Sequence, residues 1–241
     1  MMTPEILLLC ATAAAIAFVH TLAGPDHYLP FVALARSRQW PLRKAVSTTL
    51  WCGAGHILGS VILGLVGLYA SVQLGALEWI ESTRGDIAAW ALVSFGLVYT
   101  AWGLRRAWRN RTHTHDHSHG GLRHSHRHDH RDGHAHTHTP EELRHQRRSL
   151  VGWAIFIVFV LGPCEPLIPV LMFPAAQQSL VGLFAVTAVF AAVTLVTMLA
   201  VVVLSLWGLR SVRMPRIGRF SEAIAGCTIT CCGLSLALLG L

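Results

Sequence analysis

The sequence predicts an all-α integral membrane protein whose six transmembrane helices form two inverted three-helix repeats. Three observations carry that prediction: an apolar composition, six stretches of spanning length, and a Gly-Pro interruption of the first span that returns 138 positions later. Hydrophobic residues make up 53% of the 241 positions and charged residues only 13%, with a mean hydropathy of +0.51. Soluble domains carry about a quarter charged residues. A hydrocarbon core of ~30 Å needs about 20 helical residues, and stretches 6–23, 46–70, 87–108, 150–173, 180–209 and 220–241 supply them.

The first stretch follows Met1-Met2-Thr3-Pro4-Glu5 and has no basic segment ahead of it, so it reads as a span rather than a secretory leader. It ends in His20 and the break Gly24-Pro25-Asp26-His27. The second contains Trp51-Cys52-Gly53-Ala54-Gly55-His56, and Gly55 with Gly59 forms a Gly-x-x-x-Gly surface suited to close helix contact. The third completes a first repeat over 1–108. A hydrophilic linker, 109–149, carries eleven histidines between positions 113 and 138, namely His113, His115, His117, His119, His124, His126, His128, His130, His134, His136 and His138, with His145 further on. The second repeat, 150–241, opens with a span broken at Gly162-Pro163-Cys164-Glu165-Pro166 and again at Pro169.

Basic residues mark the cytoplasmic side of a membrane protein. Of nineteen Lys and Arg, four lie between spans one and two, ten between spans three and four, and four just ahead of span six. Arg84 is the remaining one, beside Glu78, Glu81 and Asp86. These connections are therefore expected inside, both termini outside, and the histidine-rich linker in the cytoplasm, in a multi-pass protein of the inner (cytoplasmic) membrane. The same asymmetry accounts for the net charge of +7, which needs no nucleic-acid partner. All six cysteines fall in apolar stretches, so no disulfide framework is expected.

Gly24-Pro25 aligns with Gly162-Pro163, and at an offset of 137 Gly96-Leu97 pairs with Gly233-Leu234 and Gly103-Leu104 with Gly240-Leu241. Three spans per copy force the second copy into the opposite orientation. In secondary transporters of that architecture the interrupted helices meet near the midplane and form the site. Freed backbone groups are tolerated there only against protein or a polar cavity, so two matched breaks predict one central cavity.

A charged residue costs ~3 kcal/mol at the bilayer centre on insertion scales, which marks His20, Asp26, His27 and His56 as functional candidates. Imidazole with carboxylate is a ligand set for a divalent transition metal. Cys164, Glu165 and Thr194 stand at the matched places of the second half and form a candidate second set. The alternating linker histidines read as a multidentate chelating tract rather than an ordered site. Bland readings stand beside these: a helix end in headgroup water for the first break, a hydrogen-bonded packing histidine for His56, a charged spacer for the linker. No Gly-x-x-x-x-Gly-Lys-[Ser/Thr] nucleotide loop is present, and the chain is expected to be no enzyme. No cofactor is expected to be tightly bound, and a divalent metal ion is expected as the transported substrate. The expected partners are the lipid bilayer and the ion itself, with a second copy or a metal-handling protein as further candidates.

The run His20-Thr21-Leu22-Ala23-Gly24-Pro25-Asp26-His27 resembles the signature of the nickel/cobalt transporter superfamily, in particular its six-span exporter-like and urease-accessory-like members. The likeness is concentrated in the first 60 residues and has one more residue between His20 and Asp26 than the importer pattern. The resemblance implies passage of nickel or cobalt, with His20, Asp26 and His27 at the matching positions. The Pro-flanked Cys164 also resembles the cysteine of transmembrane thiol–disulfide carriers. That alternative requires Cys52 as partner, because Asp26 occupies the matched position.

Overall fold

A computed structural model describes residues 4–70, 73–109, 113–119, 122–128, 141–162, 164, 166–176, 179–210 and 218–239. Eight helices form its body: α1 Pro4–Ala23, α2 Leu29–Ser37, α3 Leu42–Tyr69, α4 Leu74–Arg109, α5 Glu141–Leu161, α6 Leu167–Ala176, α7 Leu180–Arg210 and α8 Ser221–Leu239. Within the linker the backbone of His113–His119 pairs antiparallel with Leu122–His128.

Among the described residues, five helices are long and apolar enough to cross a membrane: Pro4–Ala23, Leu42–Tyr69, Leu74–Arg109, Leu180–Leu209 and Gly218–Leu238. The expected span 150–173 does not form one helix. It is divided between α5, whose apolar part Val151–Leu161 measures roughly 16 Å at ~1.5 Å per residue, and the short α6. The division falls at Gly162-Pro163, where proline removes a backbone donor and clashes with the preceding turn.

The first break likewise separates two helices. Helix α1 stops at Ala23, Pro25–His27 makes a single 3-10 turn, and the chain resumes as α2. Proline opens both new segments, at position 25 and again at position 30, near a helix start where its missing N–H costs nothing. Helix α2 is not apparent from the sequence. Its Phe31, Val32, Leu34 and Ala35 are buried, so the apolar run after the break folds back into the core instead of passing into a loop.

Packing places α1 against α7, α3 against α5 and α7, α2 and α4 against α8, and α6 against α7 and α3. One apolar cluster joins α2, α3, α4, α5, α7 and α8 through Phe31, Cys52, Leu92, Phe159, Met198 and Ile229. A second joins α1, α3, α6 and α7 through Cys10, Ala13, Ala17, Ile57, Leu167 and Phe190 and includes Cys164. Leu8, Val19, Trp51, Tyr69, Phe184 and Trp207 are exposed. This is the apolar exterior that a lipid-facing body presents.

The most intimate crossing is α4 on α8, and it is reciprocal. A Cβ on Gly96 would strike the backbone N and hydroxyl of Thr230, and one on Gly226 would strike the same atoms of Thr100. Gly103 sits against Ala223, and Gly233 against Val93. Gly226, Thr230 and Gly233 each stand 130 positions after Gly96, Thr100 and Gly103, so the two helices use the same Gly-x-x-x-Thr-x-x-Gly pattern on each other. Small residues let backbones approach where lipid offers no competing hydrophobic force.

Candidate functional site

The first break delivers three of the four expected residues to one place, and α3 delivers the fourth. His20 lies in the last turn of α1, Asp26 and His27 lie on the 3-10 turn, and His56 faces inward from α3 between Cys52 of one apolar cluster and Ile57 of the other. The His20 and His27 rings are 4.9 Å apart, and the His27 and His56 rings 5.2 Å, both edge to face. His27 and His56 are each only 3% exposed.

The hydrogen bonds settle which nitrogen of two rings carries the proton. His27 Nδ1 lies 3.1 Å from Gly24 O and 3.2 Å from Asp26 Oδ1. A carbonyl and a carboxylate only accept, so Nδ1 donates. His56 Nδ1 likewise donates to Phe159 O at 3.3 Å. In the neutral form of either ring the lone pair then lies on Nε2; neither Nε2 has a hydrogen-bond partner, and His20 Nε2 has none either. Buried polar atoms are satisfied in the large majority of cases. A ring whose Nδ1 is held by a carbonyl or carboxylate is also how metal-ligating histidine is oriented.

Asp26 and His56 also line a small cavity with Gly162, Phe159, Val158 and Leu92. Its volume of about 20 Å³ holds roughly one water or one desolvated ion. Among the described residues, no three His, Cys, Asp or Glu side chains stand in a ready ligand geometry around one point.

Of the second-half candidates, the side chains of Cys164 and Thr194 make no hydrogen bond to this cluster among the described residues. Cys164 is fully buried in the apolar cluster with Leu167 and Phe190, and its hydrogen bonds are made by its backbone, whose N–H donates to Glu81 Oε1 and whose C=O accepts from the Leu167 N–H. Thr194 is buried, with an unpartnered hydroxyl. Glu165 and the side chains of the eleven linker histidines lie outside the described residues. Cys52 and Cys164 are free and belong to different clusters.

The structure adds a second polar centre that the sequence reading misses. Glu81 and Arg84, expected in an exterior connection ahead of a span starting at 87, lie inside α4, and Glu81 is 0% exposed. They pair at 3.1 Å, and Ser60 of α3 donates to Glu81 Oε1 at 2.5 Å. The signals in the sequence are the three-residue spacing of Glu81 and Arg84, which aligns them on one helix face, and Ser60 standing one turn after His56.

No protein-family model, no curated protein and no solved structure matches the chain.

Proposed function

We propose that this multi-pass membrane protein is a transporter that carries a divalent transition metal, nickel or cobalt foremost, through a site made by His20, Asp26, His27 and His56. The observation that carries the reading is the set of three buried Nε2 atoms with no hydrogen-bond partner. Ring spacing supports it as well. With metal–nitrogen bonds of ~2.0–2.1 Å, imidazoles sharing one ion at tetrahedral angles have ring centres roughly 5 Å apart, close to the 4.9 and 5.2 Å seen here. Asp26 offsets the ion's charge, and the small cavity that it lines with His56 has room for one ion.

The architecture of that reading is two inverted three-span halves moving by alternating access. Exchanging α1–α4 with α5–α8 converts α1 on α7 into α5 on α3, and α2 on α8 into α6 on α4; all four contacts occur. The reciprocal α4–α8 crossing and the matched helix breaks support the same symmetry. The distribution of basic residues favours termini outside a cytoplasmic membrane and the histidine linker inside. In this reading the chain is a carrier and no enzyme.

Purified protein in sealed vesicles tests the proposal. Wild type is expected to move Co²⁺ or Ni²⁺ to an internal metal-quenched dye, and His27→Ala at matched membrane content to abolish that movement. Undiminished flux in His27→Ala would remove the site from the path.

A further inference from the structure

The last carbonyls of a helix have no intrahelical partner, and within a bilayer such groups must be satisfied by protein. At and just past the end of α5, three are. Phe159 O accepts from His56 Nδ1 at 3.3 Å, Leu161 O from Arg84 Nε at 3.2 Å, and Gly162 O from Arg84 Nη2 at 2.8 Å. The guanidinium is itself anchored: Nη2 reaches Ser60 Oγ at 2.7 Å and Glu81 Oε1 at 3.1 Å. Glu81 Oε1 also accepts the Cys164 N–H at 2.9 Å, on the far side of the break.

Carbonyls freed by a helix break, together with a carboxylate, make a cradle for a cation. In the second half of the molecule that cation is supplied by the chain, as a planar fork whose separate N–H groups reach two carbonyls at once. The same turn of α5 holds His56, because Phe159 O fixes Nδ1 and so leaves Nε2 bare. Gly162 also passes close to that ring: a Cβ on it would lie 3.2 Å from His56 Nδ1.

We infer that Arg84, anchored by Glu81 and Ser60, is a positioning residue for the metal site: it pins Leu161 O and Gly162 O so that Phe159 O orients the His56 imidazole. The inference rests on the metal-transport reading above. Arg84 touches no metal; it acts through the end of α5.

The test is a double-mutant cycle on the full chain in lipid nanodiscs, with Co²⁺ as the probe, reading both affinity and the ligand-field spectrum. Loss of a supporting partner weakens metal binding by about 10-fold or more, so Arg84→Met and His56→Ala are each expected to show such a loss. Coupled residues are non-additive, so the double variant should bind no more weakly than His56→Ala alone. The Co²⁺ bands of Arg84→Met should shift toward those of His56→Ala. Losses that multiply, or bands unchanged in Arg84→Met, would overturn the inference while leaving the metal site standing. Absence of Co²⁺ binding by the wild type would remove the metal site itself. Should Arg84→Met fail to fold, Arg84→Lys keeps the charge beside Glu81 without the fork. It is expected to fold and to bind Co²⁺ with a loss between those of wild type and His56→Ala; wild-type affinity would reduce Arg84 to a counter-charge and overturn its positioning role.

Discussion

At Gly24 the backbone passes so close to the His27 ring that a Cβ would stand 2.6 Å from Nδ1 and 2.9 Å from Asp26 Oδ1. The φ of −84° there is open to any residue, so space, and not conformation, requires glycine. Both threatened atoms are parts of the contact that leaves His27 Nε2 bare. Gly24→Ala is therefore expected to leave helix content and membrane yield unchanged but to weaken Co²⁺ binding by about 10-fold, as loss of an orienting partner does. Equilibrium binding to the purified protein measures it; unaltered affinity would place the ion away from His27. The residues of this cluster are legible because imidazole and carboxylate within apolar spans are costly enough to stand out. Ser60, Glu81 and Arg84 are not. A serine in a span is cheap and common, while Glu81 and Arg84 sit among Glu78 and Asp86 in a stretch whose polarity reads as a connection. Only the fold shows that α4 continues through it and turns one face of that stretch inward.

Elements divide in a similar way. Long spans are legible from apolar length alone, and both helix breaks from their Gly-Pro pairs. The short helix after each break is harder to see, because nine or ten residues, as in α2 and α6, are too few to span a membrane. The Gly55 and Gly59 surface of α3 does meet another helix closely: Cβ atoms there would lie 2.7 Å from Val160 Cγ2 and 3.1 Å from Val160 O, both on α5. The α4–α8 repeat is hidden in the sequence because its offset of 130 differs from the 137 suggested by the Gly-Leu pairs. Its consequence is testable. A methyl group at Gly96 or Gly226 meets main-chain nitrogen of the facing helix, which cannot rotate away. Gly96→Ala and Gly226→Ala should each lower stability by about 1–3 kcal/mol, the range for overpacking a tight core. Gly208→Ala, on α7 with open space around it, should be neutral or stabilising by about 0.5–1 kcal/mol, as expected for replacing glycine inside a helix. Unfolding by SDS titration from mixed micelles separates these cases, and equal stability of all three variants would contradict the close crossing.

For the molecule as a whole, the contrast is between a few buried ligands and many histidines in one hydrophilic linker. The exterior of the helical body is apolar, and the proposed metal site lies inside it, where an ion must exchange its hydration shell for protein ligands. Each ligand of such a site is indispensable, because nothing else nearby can replace it. The linker obeys the opposite logic. Its imidazoles repeat at short intervals over 113–138, so that losing several leaves others close by in sequence, and on the proposed reading its effect is to raise the local concentration of ion. Local concentration matters when the site is far from saturation and ceases to matter when it is full. Deleting 112–139 is therefore expected to leave the maximal rate of Co²⁺ or Ni²⁺ movement in vesicles largely intact while raising the metal concentration needed for half of that rate. His27→Ala should instead abolish movement at every concentration. Initial rates measured across a metal titration, at matched protein content, distinguish the two patterns. Loss of all movement on deleting the linker, with movement retained in His27→Ala, would shift the handling of metal from the buried histidines to the linker.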